Sequence, residues 1–332
     1  MVPLRAATLV SLYVTLTASV PWHLGRRITE HYCAHADSMY CNKCDFPLHH
    51  ALLETWVVHH GKKQTGTVFV VGCNDGSDVA HLVNRPWYTP RLRVYAWEMQ
   101  EPTFMSARRL LAASNASVEV LHGGISDQSN AVCMREGGEG TYINTRARQS
   151  CEDRCCGGTR VQVQPWSRFV DAHEISQVTF ALVDVEGHEA SVIRGMELET
   201  RSATFPIFTF ELGSAWVSFK HAGNWTQQST ATYLTRLGYE LFLIGANGCG
   251  PSACNIRPEA YIPTLLPVSP DNFAEPNCRP WRRVSATGPR PWLLRGSALD
   301  GNALAVLTAA RRRMRWLDAF LEKHVIRGST DQ

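Results

Sequence analysis

No excess of either charge marks this 332-residue chain: 33 Lys and Arg stand against 30 Asp and Glu. A net charge of +3 argues against a dedicated nucleic-acid surface. The sequence contains no internal repeat and no low-complexity segment, which excludes solenoids and arrays. Its apolar N-terminal run, residues 6–20, falls short of the ~20 residues a spanning helix normally needs. Cys41 and Cys44 have zinc-ligand spacing, and His31, His35, His49 and His50 lie nearby, but the second CxxC of a ribbon or finger is missing. The Gly-rich turn at 72–77 is not G-x-G-x-x-G, because Asn74 and Ser77 occupy two of the glycine positions. That argues against a nicotinamide or flavin site.

What is present points to a globular chain in an oxidising compartment. Hydrophobic residues make up 44% and charged residues 19%, enough for a core and too little charge for global disorder. Arg5 precedes the uncharged run 6–20, and Arg26 and Arg27 follow it, the pattern of a secretory h-region. A cleaved signal and a retained type II anchor both fit. Asn115-Ala-Ser117 and Asn224-Trp-Thr226 are glycosylation sequons. Eleven cysteines are many for a reduced compartment, and most cluster on loops, at 33–44, 151–156 and 249–278. We therefore expect disulfides rather than zinc, a glycoprotein, and a place in the ER or Golgi lumen, membrane-anchored, or outside the cell. The odd count leaves one thiol free or paired between chains, with Cys73 the candidate for the free one.

Four regions follow. Residues 1–25 are the signal or anchor, 26–62 a Cys- and His-rich lead with a helix at 47–59, 63–250 an α/β domain, and 251–332 a C-terminal extension. In the third region strands and helices alternate. Strands are expected at 67–71, 92–97, 118–121, 180–183, 207–210 and 240–244. Helices are expected at 78–83, 103–113, around 169, at 189–199 and at 229–237. This spacing reads as a mostly parallel, doubly wound sheet with helices on both faces. A Gly- and Cys-rich insertion at 134–158 interrupts it as a surface flap. The extension is Pro-rich and closes with a basic amphipathic helix at 303–325, its Arg311, Arg312, Arg313 and Arg315 on a solvated face.

The chemistry gathers where strands end. Gly72, Asn74, Asp75 and Gly76 form a tight turn after the first strand, with Asp78 beyond it. These acids would repel a polyphosphate but suit a ligand carrying an amine and a sulfonium, which is S-adenosylmethionine. Glu98 ends the second strand about 20 residues on, at the spacing of an acid that grips ribose hydroxyls. Ser126 and Asp127 follow the third strand, near an adenine amine or in a plain turn. Asp184, Glu186, His188 and Glu189 follow the fourth, and Glu211 ends the fifth on the same edge. Paired carboxylates there suit general-base work or metal binding, and His188 a proton acceptor. Glu186 or Glu189 also has a structural reading, at a helix start that favours acids.

In order, VFVVGCNDGSD, VYAWEMQEPTF, GGISD, FALVDVEGHEASVIRGM and IFTFEL resemble the FkbM family of S-adenosylmethionine-dependent methyltransferases, over roughly residues 65–247. The resemblance implies a Rossmann-like class I methyltransferase fold. It places Gly72, Asn74 and Gly76 around the methionine part, Glu98 on the ribose, Ser126 and Asp127 by the adenine, and Asp184 and Glu186 at the reaction centre, with no metal assigned. In one respect the chain departs from the family: Val70 stands where an acid usually precedes the first glycine, and Asp75 or Asp78 would have to serve the methionine amine instead.

The expected function is O-methylation of a hydroxyl on a glycan or secreted small molecule, with Asp184 or His188 as base and the 134–158 flap as a lid. Two other readings compete: a metal-dependent glycosyltransferase using Asp184 and Glu186, and a non-catalytic secreted module on the same scaffold.

Overall fold

The structure is a computed structural model that describes residues 45–114, 116–135, 142–143, 159–212, 225–247, 262–270 and 301–325. The N-terminal run, the zinc-spaced pair Cys41 and Cys44, Asn115 and Asn224, and most of the 134–158 flap lie outside these residues. Among the described residues no helix is long and apolar enough to cross a membrane.

Short, largely apolar runs build the sheet. β1 (Gly66–Val71) and β8 (Phe180–Val183) lie side by side in parallel register, Val68 opposite Phe180 and Val71 opposite Val183. β2 (Leu92–Glu98) pairs with the other edge of β1, and β3 (Val118–His122) with β2, both in parallel. β9 (Ile207–Leu212) continues in parallel beyond β8. The chain thus grows from β1 toward β3 and then jumps back to β8 on the other side. Strand order reverses between β1 and β8, which is where an open α/β sheet forms its ligand crevice.

Both faces are covered. Val68 and Val70 point into one core and Phe69 and Val71 into the other, as the two-residue period of a strand requires. The first core is closed by α1 (Asp45–His60), α2 (Ser77–Val83), α3 (Glu101–Ala112) and α9 (Arg315–His324). The second is closed by α4 (Trp166–Ala172), α5 (Glu189–Arg194), α6 (Leu198–Arg201) and α7 (Gln227–Arg236). There Phe69 stacks on Trp166 at 4.8 Å, and Trp97 meets Phe169 edge-on at the same distance. Pro102 sits in the first turn of α3, where no amide is needed. Thr226 and Ser229 cap α7 reciprocally.

Three expectations change. The 303–325 segment is not one helix. It begins as β12 (Gly301–Leu307), which lies antiparallel between β9 and β10 (Tyr239–Asn247), and only then turns into α8 (Thr308–Arg313) and α9. With β11 (Ile262–Val268) on the edge, the sheet has eight strands in the order β11-β10-β12-β9-β8-β1-β2-β3. Arg311 is not simply solvated: its Nη1 and Nε bond Glu240 and Asp318, each at 2.7 Å, tying α8 to β10 and α9. The 189–199 helix breaks at Gly195, where a Cβ would lie 2.2 Å from the Ser126 carbonyl oxygen, and α6 restarts after it.

A smaller sheet flanks β3. β4 (Gly124–Ile125) pairs with β7 (Thr159–Gln164), which pairs with β5 (Asn130–Arg135), and β5 pairs with β6 (Tyr142–Ile143).

Candidate active site

The carboxyl ends of β1, β2 and β8 meet in one crevice. Gly72 and Cys73 donate their amides to the Trp97 carbonyl at 3.0 and 2.9 Å, and the Asp184 amide bonds Val71 at 2.9 Å. The turn then lifts away, with Gly72, Asn74 and Gly76 all at positive φ (86°, 50° and 81°). Asn74 donates its amide to Glu98 Oε2 at 3.0 Å, and Gln100 donates to Oε1 at 2.8 Å. The predicted pair of turn and acid is therefore joined directly. Burial raises the Glu98 carboxyl above its usual range, and the two amides act against that rise. Held in this way, each oxygen retains a lone pair for a hydroxyl donor.

The glycines themselves serve packing rather than ligand approach. A Cβ on Gly72 would overlap the Asp184 carbonyl, and one on Gly76 would press on Ala107 of α3 at 3.0 Å. Asp75 turns back to accept the Ser77 amide at 2.9 Å. Cys73 is a buried free cysteine, as expected, and burial pushes its thiol to about 12, so it is unreactive near neutral pH.

At the end of β8, Asp184 is held by a hydrogen bond with Glu211 at the end of β9. Two carboxyl groups bond in this way only when one carries a proton. Burial, then the charge of Glu186, raises Asp184 to about 6. Carboxylate oxygens of Asp184, Glu186 and Glu211 lie within 4.8 Å of one another, close enough to share a cation as well as a proton. Glu186 itself is exposed, in the left-handed region at φ 54°.

His188 faces elsewhere. Its Nε2 is 3.3 Å from Ser126 Oγ, and its charged neighbours are Asp127 and Arg194. Burial lowers it to about 4, so it is a neutral ring near pH 7 and a weak base. Asp127 in turn pairs with Arg194 at 2.7 Å. The structure thus joins His188 to the Ser126–Asp127 corner, and the Arg194 clamp was not apparent in the sequence. Glu189 is structural, although not through the helix dipole. Its Oε1 accepts the amides of Val185 at 3.0 Å and Gly187 at 3.1 Å, pinning the loop that carries Asp184 and Glu186.

Full burial raises Glu189 to about 8. Between its ordinary 4.5 and that value the folded protein keeps a proton that the unfolded chain releases, so stability falls as pH rises across the window. One such proton contributes a slope of at most about 1.4 kcal/mol per pH unit. Glu189→Gln keeps the Oε1 acceptor and loses the titration. Thermal melts from pH 5 to 9, an interval of about that width, should therefore show a flatter decline than the wild type. Parallel curves would rule out a buried neutral carboxyl.

Beneath the Gly72 turn, between α1, α2 and the β1–β8 pair, lies a small cleft that opens to solvent. Its floor is apolar, and Asp78, Asp184, His49 and His50 stand in its walls. His49, which the sequence offers as a neighbour of the zinc-spaced cysteines, is a core residue. Its Nε2 is 3.1 Å from Thr209 Oγ1, and burial lowers it to about 3.

A sheet with five adjacent parallel strands, an antiparallel β12 set between β9 and β10, and acids at the ends of β1, β2 and β8 defines a Rossmann-like class I methyltransferase fold. The family described as the methyltransferase FkbM domain matches residues 71–241, and the chain belongs to that family. No curated protein matches the chain. Solved structures similar to it include the plantazolicin methyltransferase BpumL in complex with SAH (10% identity, 87% of this chain and 91% of that one, TM-score 0.34). The METTL16 MTase domain is another (10% identity, 60% and 61%, TM-score 0.35). Precorrin-6y C5,15-methyltransferase from Geobacter metallireducens GS-15 is a third (11% identity, 58% and 76%, TM-score 0.29).

The chain is thus a methyltransferase with S-adenosylmethionine as its cofactor. The residues fit that group. Glu98 presents a fixed acceptor pair for ribose hydroxyls, and the acids at Asp78 and Asp184 favour a cationic neighbour. The family assignment sets the glycosyltransferase reading aside.

Proposed function

We propose that the chain methylates a hydroxyl group of a glycan or secreted small molecule, within the secretory pathway or outside the cell. One observation carries the chemistry: Asp184, half-buried beside Glu211 and raised to about 6, is a carboxylate basic enough to take a hydroxyl proton near neutral pH. When bound, S-adenosylmethionine supplies a methyl group already activated by a positive sulfur. The protein has to align the acceptor oxygen and remove its proton. Asp184 takes that proton, and the hydrogen bond to Glu211 fixes its orientation. Glu186 is exposed beside it. His188 positions the Ser126–Asp127 corner rather than acting as base.

The compartment is supported by the N-terminal h-region, the two sequons and the clustered cysteines. The near-neutral net charge supports a small-molecule or glycan acceptor over a nucleic acid, and the N-terminal run would serve as a membrane anchor if retained.

The test is methyl-labelled S-adenosylmethionine with the purified protein and matched acceptors carrying free hydroxyl, amine or thiol groups. Label should appear only on hydroxyl oxygens, and capping those hydroxyls should abolish it. Transfer to amines or thiols without transfer to hydroxyls would overturn the proposal.

A further inference from the structure

At the edge of the sheet opposite the crevice, three segments of chain converge. β1 and β2 start there, at Gly66 and Leu92, and β12, running against β9, ends there, with Val306 across from Ile207. α8 and α9 therefore begin at this edge, and α1 finishes beside it. Ring contacts join the segments. Trp56 packs so closely on Gly66 that a Cβ there would lie 2.7 Å from its ring. His60 sits 5.0 Å from Trp56, and Trp316 lies 6.2 Å from His60. The Gly66 amide also donates to the Arg91 carbonyl at 3.1 Å.

Six cations follow directly from these anchor points: Lys62 and Lys63 after α1, Arg91 before β2, and Arg312, Arg313 and Arg315 where α8 meets α9. All six are exposed. Among the described residues none of them forms an ion pair. Lys62 Nζ donates to the Pro86 carbonyl at 3.2 Å, which leaves its charge in place. Two acids of the same quarter, Glu240 and Asp318, are both held by Arg311. Glu54 and Glu322 stand about two turns away along α1 and α9. Elsewhere on this edge charge is matched, as where Arg201 meets Asp171 and Glu197. A chain with a net charge of +3 thus keeps a local excess of positive charge at one corner.

We propose that this corner docks a sulfated glycan chain, whose anionic groups lie along the six cations. Neighbouring cations in pairs and threes call for a partner with densely spaced anions, and an arginine fork takes a sulfate through two donors at once. A membrane surface suits the corner less well: an interfacial site wants exposed Trp, Phe or Leu, and the one large apolar side chain exposed near this edge among the described residues is Val58. A single-stranded nucleic acid wants exposed aromatic faces, and Trp56 and Trp316 are 7% and 5% exposed. The docking surface lies at the far end of the strands from Asp184, so a bound chain leaves the crevice open. It is therefore separate from the acceptor and cofactor sites.

Calorimetry of the full chain with size-defined heparin oligosaccharides, at about 0.15 M salt and above, tests the assignment. The triple variant Arg312→Gln, Arg313→Gln, Arg315→Gln and the double variant Lys62→Gln, Lys63→Gln should each bind about tenfold more weakly or worse. Each should also flatten the dependence of log affinity on log salt, by about one for every contacting cation removed. Arg108→Gln, Arg109→Gln on the exposed side of α3 removes the same charge as the lysine pair and should stay within about twofold. Melting temperatures within about two degrees of the wild type show that the variants are folded. No heparin binding by the wild type at about 0.15 M salt would overturn the proposal. So would equal losses in the lysine and α3 variants, which would reduce the effect to net charge. Tighter binding of single-stranded RNA or phosphatidylserine vesicles, lost in the same variants, would give the corner to that partner and end the glycan assignment.

Discussion

Asp184→Asn should lower the rate of methyl transfer by about 10²–10⁴, the usual contribution of a positioned general base. The change keeps the shape of the side chain and one hydrogen bond toward Glu211, and removes a half-buried proton acceptor at the end of β8 that is raised toward neutrality. Affinity for S-adenosylhomocysteine should fall far less, by under about tenfold, because Asp78 and Glu98 still supply acids to the same ligand. A loss of rate without a matching loss of binding is the signature of a group that acts on the acceptor.

The pH profile gives the same test from another side. The wild-type rate should rise with pH through about 6 as Asp184 ionises. The apparent value belongs to the Asp184–Glu211 pair, since the two share a hydrogen bond. In Asp184→Asn the residual rate should lack that rise. A variant retaining more than about a tenth of the activity, or the same inflection, would show that the proton leaves by another route.

The sheet from β1 to β10 was legible because its strands are short apolar runs that end in glycine or acid. Asp184 and Glu98 could be placed for the same reason: a strand end fixes where the next side chain stands, whatever the tertiary detail. β12 was not legible. Its residues, Gly301–Leu307, include four strong helix formers (Ala303, Leu304, Ala305 and Leu307), and the segment is buried on both faces, so no alternation of polarity marks it. What makes it a strand is its neighbour. Ala303 and Ala305 lie across from Phe210 and Phe208 in the register with β9, so small side chains leave room for large ones. Only the assembled sheet contains that information.

The site shows the same division. Glu98 and its turn follow from spacing along about 25 residues of chain. The hydrogen bond from Arg85 Nε to His50 Nδ1 joins residues 35 apart, and the His49–Thr209 bond joins residues 160 apart. Neither pair has a local pattern. The role of the glycines was half legible: the turn was foreseen, but the backbone that forbids a side chain at Gly72 belongs to β8, more than a hundred residues downstream.

That last point sets up a paired experiment. Gly72 and Gly238 have the same φ, 86°, so alanine meets the same backbone strain at both. That strain is about 1–2 kcal/mol. Around Gly238 a Cβ would meet nothing within 4 Å, whereas at Gly72 it would lie 1.7 Å from the Asp184 carbonyl oxygen. The oxygen belongs to backbone at the end of a central strand and cannot swing aside as a flexible side chain would. Gly238→Ala should therefore lower the melting temperature by only a few degrees. Gly72→Ala adds an overpacking cost of about 1–3 kcal/mol or more, a further drop on the order of 10 °C, or a protein that does not accumulate folded. Any folded Gly72→Ala should also bind S-adenosylhomocysteine poorly, since moving the turn pulls the Asn74 amide from Glu98. If the two variants melted within a degree or two of each other, the β1–β8 contact would be looser than its geometry indicates, and the crevice would not be held as described here.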